Sequence, residues 1–456
     1  MRARAALLVA LAALAAGCSE RPRSNPFDPA NPATGGRPAG FQALAGDGRV
    51  TLRWQPASSA GLLGYQAMRS LSSTTGFTPI SAVLAPSVTS FSDVGLLNGA
   101  DHYYRLYFVF SSGLGSLYAS DVATPGPVTP WVGDDGPPVL YRLSNDGRHV
   151  VDYVPGAVTQ SVADIDVDRG TGAVWSADPV QGMVTIYQPT TGLSTPVRGL
   201  AQPVAIAVDS IDHTAWVGED VRGGSVDHFG PDGNLAAPPS LGVFESPIGL
   251  AIDPNDRSVW VCERTGSRVR HLDRSAGPLS TSYVINPSRV AVDSVTRDAW
   301  VTSFTHGLIV HLSPGGVRSD SITAITSPVG IVVDGPRGSI WVTDPLAGTV
   351  TALTTGGAIK SKVSGLAGAY DIALDPRTGE VWVAAQDAAA VVRLSPAGVP
   401  LRVLGGFAAP DAIALDTGSG AVVAPAGARR APPDLAQRTI TTRAASARPA
   451  WVTRAK

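Results

Sequence analysis

Along most of the chain, apolar residues fall in short alternating runs broken every few positions by Gly, Pro, Asn or Asp, a pattern that predicts β-strands joined by turns. In the larger, C-terminal part the pattern repeats. "DPRTGEVWVA" from Asp375 has counterparts in "DRGTGAVWSA" from Asp168, "DSIDHTAWVG" from Asp209, "DPNDRSVWVC" from Asp253, "DSVTRDAWVT" from Asp293 and "DGPRGSIWVT" from Asp334. With Asp416, these aspartates are spaced by 41, 44, 40, 41, 41 and 41 residues. A period of this length with several strands per unit indicates a propeller or a solenoid, and the β-rich runs speak against a helical array.

Each unit reads as an inner strand ending in the Asp, a turn, a second strand carrying a Trp, and a third ending in "RLSPAG" or "HLSPGG". The Asp can accept hydrogen bonds from turn amides, and the Trp offers a large area for packing between units, so the motif is a fold element. "WVGDDGPPVLYRLSNDG" from Trp131 matches "WVAAQDAAAVVRLSPAG" from Trp382, with 16 residues from Trp to final Gly in both. Trp131 has no inner strand before it, whereas "PDAIALD", ending at Asp416, has no Trp after it. A ring closes if that C-terminal strand becomes the innermost strand of the first blade. The expected fold is all-β, with a seven-bladed β-propeller over 127–425 whose blades begin at Trp131, Trp175, Trp216, Trp260, Trp300, Trp341 and Trp382. "SPVGIVVDGPRGSIWVTD", from Ser327 to Asp344, resembles the NHL and streptogramin-lyase-like propeller families. That resemblance implies the fold; propellers serve many functions.

The preceding segment, 39–125, carries "RVTLRW", "GYQAMRS", "HYYRLYFVF" and "GSLYASDV", which predict a small antiparallel sandwich. Trp54, Gly64-Tyr65 and "LNGADHY" from Leu97 to Tyr103 resemble a fibronectin type III domain, with Gly99 and Ala100 where that family has Pro-Gly. The resemblance implies that the aromatics are core residues and a tyrosine corner.

At 456 residues, with 44% hydrophobic and 16% charged, the chain is expected to fold as two or more domains. Its start, "MRARAALLVALAALAAGCSE", has an apolar run too short to span a bilayer and reads as a signal peptide over 1–17. "LAAGC" resembles a bacterial lipobox, which implies acylation of Cys18 and a firm membrane anchor, and Ser19 by the same resemblance favours the outer membrane. Residues 18–38 read as a lipidated Cys followed by a Pro/Asn-rich spacer. The other Cys, Cys262, is left without a disulfide partner. Net charge is −2, but the stretch 426–456 has seven Lys or Arg against one Asp; it reads as a basic, Ala/Arg/Pro-rich disordered tail.

Three sets of side chains are candidates for chemistry. His228, His271 and His311 occupy equivalent third-strand positions. Equivalent atoms on neighbouring blades should lie on the order of 10 Å or more apart, too far to share zinc, so surface or inter-blade histidines are expected. Asp134, Asp178, Glu219, Glu263 and Asp344 fall three residues after the blade Trp and read as caps of their own loops. At channel-facing positions most residues are small, but Asp164, Asp166 and Asp371 are acidic, Arg289 is basic and Asp411 lies just before that row. These acids are expected to gather on one side of the channel mouth with Arg289 facing them, as a candidate binding set.

No Ser-His-Asp order, phosphate-binding Gly-rich loop or basic aromatic nucleic-acid surface stands out. Resemblance to streptogramin lyases would imply a catalytic His and acidic metal ligands, and to gluconolactonase-like propellers a Glu, Asn and Asp set; neither maps onto this chain. The expected function is a monomeric, membrane-anchored cell-envelope binding or scaffolding lipoprotein, with a protein or carbohydrate ligand at the propeller face, no nucleic acid, no assigned metal or cofactor and no catalytic set. The alternative is a metal-dependent propeller enzyme, lyase or lactonase-like, using a divalent cation at the channel mouth.

Overall fold

The computed structural model describes residues 24–136, 138–155 and 160–418. Cys18, the signal segment and the basic tail lie outside the described residues. The chain divides into two compact units, 1–126 and 127–456. Apart from two 3₁₀ turns, Phe304–His306 and Gly335–Arg337, the regular elements among the described residues are β-strands.

The first unit has two antiparallel sheets. One orders Gln42–Gly46, Arg49–Arg53 and Ser90–Val94; the other orders Thr78–Pro79, Leu62–Ser70, His102–Phe110 and Gly113–Ala123. Alternation along His102–Phe110 turns Tyr104, Leu106 and Phe108 inward, where they meet Val50, Leu52, Trp54 and Tyr65 in one core. The same alternation corrects the corner assignment: Tyr103 is half-buried, and the buried hydroxyl is that of Tyr104, which donates to Asp93 Oδ2 at 2.9 Å. Arg69 completes this group, with Nη1 2.8 Å from Asp93.

Among the described residues, the second unit contains seven four-stranded antiparallel sheets. Their inner strands are Pro410–Asp416, Asp164–Val167, Pro203–Asp209, Pro247–Ile252, Val290–Val292, Ile331–Asp334 and Ala369–Leu374, here taken as first to seventh. Each pairs with a Trp-bearing strand, and the first sheet joins the first and last described strands of the unit: Ala414 pairs with Trp131 and Ile413 with Val132. Consecutive inner strands neighbour one another around the whole cycle, including Pro410–Asp416 against both Asp164–Val167 and Ala369–Leu374. This is a β-propeller.

The Trp residues explain the cohesion between sheets. Each packs onto the sheet that follows: Trp131 onto Ile165 and Val174, Trp175 onto Ile206 and Val217, Trp216 onto Val259, Trp260 onto Val301, Trp300 onto Ile340 and Trp341 onto Val383. Trp382 returns to Val132, Tyr141 and Ile413 of the first sheet. All seven are at most 2% exposed, so each contributes close to its full area to an inter-sheet core. Cys262 lies fully buried in one of these cores, where burial drives its thiol pKa far above the usual range and keeps it unreactive. Trp300→Ala is expected to lower stability by roughly 3–5 kcal/mol in chemical denaturation, the range for large aromatic truncations; an unchanged midpoint and slope would contradict this packing role.

Candidate functional site at the channel mouth

The repeated Asp uses its two oxygens differently. In six sheets one oxygen accepts a turn amide two residues on, as Asp168 from Gly170 at 2.8 Å, Asp253 from Asn255 at 2.8 Å and Asp293 from Val295 at 2.8 Å. The other oxygen often reaches the next sheet. Asp168 meets His213 Nδ1 at 2.9 Å, Asp209 meets Arg257 Nε at 2.6 Å and Asp253 meets Arg297 Nε at 2.7 Å. Those three partners have positive φ, 60°, 65° and 68°, at the turn position where other sheets carry Gly172, Gly338 and Gly379. A non-Gly residue in that region costs about 1 kcal/mol or more, and here the side chain that Gly lacks makes the inter-sheet hydrogen bond.

The acids after the Trp are likewise structural, with a wider reach than their own loops. Asp134 accepts from Ala408 and Ala409 N–H, Asp178 from Gln160, Glu219 from Ala201, Glu263 from Glu245 and Asp344 from Ser327. Each therefore ties the incoming connection to the Trp-bearing strand. Glu263 also receives Arg268 and Arg270, which hold its carboxyl at about 2 against the opposing effect of burial.

The three histidines do not form a shared site. The register places each opposite the Trp of its own sheet, and the rings stack: His228 on Trp216 at 3.9 Å, His271 on Trp260 at 4.0 Å and His311 on Trp300 at 4.2 Å. His228 and His271 are buried, which corrects the surface reading, and burial lowers both pKa values so that the neutral ring predominates. In the seventh sheet Arg393 takes the same place over Trp382 and pairs with Glu380.

The channel-facing charges do come together. Arg289 precedes the fifth inner strand, yet its Nη1 lies 3.1 Å from Asp164 Oδ2 of the second, so the side chain spans the channel. Asp371 of the seventh sheet interacts electrostatically with the same guanidinium. The acids also serve neighbouring backbone: Asp164 accepts from Ile206 N–H at 2.9 Å, Asp166 from Val208 at 2.8 Å and Asp371 from Ile413 at 2.8 Å. Asp166 thus faces the third inner strand and makes no ion pair with Arg289.

Asp411 is 2% exposed, and its Oδ1 has no hydrogen-bond partner. Burial first, and then the negative charge of Asp135, raise its pKa well above the usual range. Burial also raises Asp135, Asp166 and Asp371 to about 6. Asp135 is a member of this set that spacing from the Trp alone did not disclose. Among the described residues, no group of three or more His, Cys, Asp or Glu side chains is arranged to hold a metal ion.

No protein-family model matches the chain, and no curated protein matches it significantly. Among solved structures, the chain is similar to a functionally unknown protein from Desulfotomaculum acetoxidans DSM 771, with TM-score 0.55 and 13% identity over 64% of this chain and 99% of that one. A catalytically inactive virginiamycin B lyase from Staphylococcus aureus, with quinupristin, aligns at TM-score 0.46 and 18% identity over 54% and 84%. The WD40 β-propeller domain of Doa1 aligns at 0.46 and 16% over 54% and 82%. The likeness is one of fold.

Because Asp135, Asp166, Asp371 and Asp411 deprotonate at higher pH in the folded protein than in the unfolded chain, these acids contribute stability that is lost as pH rises above about 4, while the buried His228 and His271, with lowered pKa values, contribute in the opposite sense below about pH 6.5. The difference between parent and Asp411→Asn isolates the acid: from pH 5 to pH 7 the thermal midpoint of the parent should fall relative to that of the variant. An identical pH dependence in the two proteins would contradict the assignment.

Proposed function

We propose that the chain is a lipid-anchored cell-envelope binding or scaffolding protein. In this reading an acylated Cys18 and a spacer to residue 38 carry a fibronectin type III-like sandwich over 39–125 and a seven-bladed propeller over 127–425. The face around the channel mouth takes a protein or carbohydrate ligand, and the chain acts as a monomer, held at the outer membrane.

One observation supports binding over catalysis. Arg289, Asp164, Asp166 and Asp371 are already engaged with one another or with backbone: Arg289 bridges to Asp164, and Asp166 and Asp371 accept amides of the next inner strand. An enzyme centre needs groups free to meet developing charge on a substrate, whereas a ligand-binding face needs a rigid support with varied loops. The turns after the Trp-bearing strands lie at this same end, since Asp135, the last residue of the Trp131 strand, meets Asp411. Val180 and Leu346, in two such turns, are 62% and 58% exposed.

Capture of ligand from an envelope extract by the immobilised full chain tests this. A Val180→Asp, Leu346→Asp double variant is expected to lose the captured species while its unfolding midpoint stays unchanged. Undiminished capture would move the ligand off this face, and a stoichiometric divalent metal retained through dialysis would favour the lyase or lactonase-like reading.

A further inference from the structure

The Trp-stacked histidines of the third, fourth and fifth sheets differ in one chemical respect. His228 has Nε2 2.8 Å from Thr214 Oγ1 and Nδ1 3.1 Å from the Pro238 carbonyl. His271 has Nε2 2.6 Å from Ser258 Oγ and Nδ1 3.0 Å from the Pro314 carbonyl. A carbonyl only accepts, so both rings carry their proton on Nδ1 and offer no base there. In the fifth sheet both partners change. His311 Nε2 lies 3.0 Å from Asp298 Oδ2, at the position held by Thr214 and Ser258, and Nδ1 lies 2.6 Å from Ser319 Oγ. The carboxylate favours the Nε2–H tautomer, which leaves the Nδ1 lone pair facing the Ser319 hydroxyl.

We propose that Asp298, His311 and Ser319 form a nucleophilic site for hydrolysis of small carboxylic esters on the rim of the propeller, separate from the channel mouth and independent of any ligand bound there. In the sequence the order runs Asp, His, Ser over 22 positions on three adjacent strands or turns, which only the strand register brings together.

Three features of the surroundings fit that chemistry. Ser319 sits in a β-bulge: the ladder pairs Val310 with Ser321 and Leu312 with Arg318, so Ser319 and Asp320 together oppose His311 alone. Bulges re-aim side chains, and this one takes Ser319 out of the regular ladder beside His311. His311 has one-quarter of its side chain exposed and Ser319 is exposed, so a substrate can reach both, unlike the buried His228 and His271. A cleft of about 420 Å³ adjoins, lined by Trp300, His311, Ser321, Ile322, Thr355 and Gly356, and its size and mixed apolar and hydroxyl lining suit a short acyl group.

In the reaction Ser319 Oγ attacks the ester carbonyl carbon while its proton passes to His311 Nδ1. The tetrahedral oxyanion collapses, the bond to the alkoxy oxygen breaks, and Nδ1 returns the proton to the departing alcohol. Water, deprotonated by Nδ1, then attacks the acyl-serine; the carboxylic acid leaves and Ser319 regains its proton. Asp298 is a positioning residue. Its Oδ2 lies 3.0 Å from Nε2 without the alignment of a straight hydrogen bond.

The test treats the purified full chain with a fluorophosphonate probe, maps the adduct by peptide mass spectrometry and follows p-nitrophenyl acetate hydrolysis. A single adduct on Ser319 is expected, absent in Ser319→Ala and His311→Gln, with hydrolysis reduced at least about 100-fold in each. Asp298→Asn should slow labelling about ten-fold or more and shift the His311 tautomer in ¹⁵N NMR. No adduct on Ser319, labelling that survives His311→Gln, or a parent His311 protonated on Nδ1 would overturn the proposal; the last readout decides even if His311→Gln fails to fold.

Discussion

Each inner strand of this propeller is the last strand of its sheet, so one of its edges has no strand to bond. N–H and C=O groups left without a partner where water is excluded cost about 1–3 kcal/mol apiece, and these inner edges must be provided for. The chain does so in two ways. Where an inner strand carries an acid, the carboxylate accepts amides of the next strand, as Asp164, Asp166 and Asp371 do. Hydroxyls of the Trp-bearing strands act from the other side, Thr302 donating to the Val329 carbonyl and Thr343 to that of Tyr370. Elsewhere the backbones simply approach: a Cβ on Gly249 would lie 2.5 Å from the Ser288 carbonyl oxygen, and one on Gly330 would lie 2.7 Å from that of Tyr370. Charge and small size along the inner row are thus alternative answers to one problem.

The same economy of carboxylates runs outward. In six sheets the Asp ending the inner strand binds its own turn with one oxygen and, in the second to fourth sheets, a basic side chain of the following sheet with the other. The acid after the Trp fastens the incoming connection. Trp side chains fill the space between. Adjacent sheets are therefore joined by a polar layer at each end and an apolar layer between, and the ring needs no disulfide to hold its shape.

Much of this architecture was legible in the sequence because it repeats. The spacing of Asp and Trp, the turn chemistry and the missing inner strand before Trp131 all point to a ring closed by "PDAIALD", and the pairing of Ala414 with Trp131 lies where that argument puts it. The charges at the mouth could be read as neighbours because they occupy one row of the repeat. What lay beyond reach were contacts fixed by register or by distance along the chain. Stacking of His228, His271 and His311 on Trp depends on which residues face each other across two strands. The Asp135–Asp411 contact joins residues 276 positions apart that belong to different rows of the repeat. Alternation in the first unit also decided between Tyr103 and Tyr104 in a way that a motif alone did not.

The claim on which the rest depends is that inner-row acids complete the backbone of the neighbouring strand. Site-resolved native-state hydrogen exchange tests it directly. In the parent protein the amides of Ile206, Val208 and Ile413 should be protected like those of the Trp-bearing strands, and Asp166→Ala should selectively accelerate exchange at Val208. Rapid exchange at all three amides in the parent, or unchanged protection of Val208 in the variant, would contradict the account.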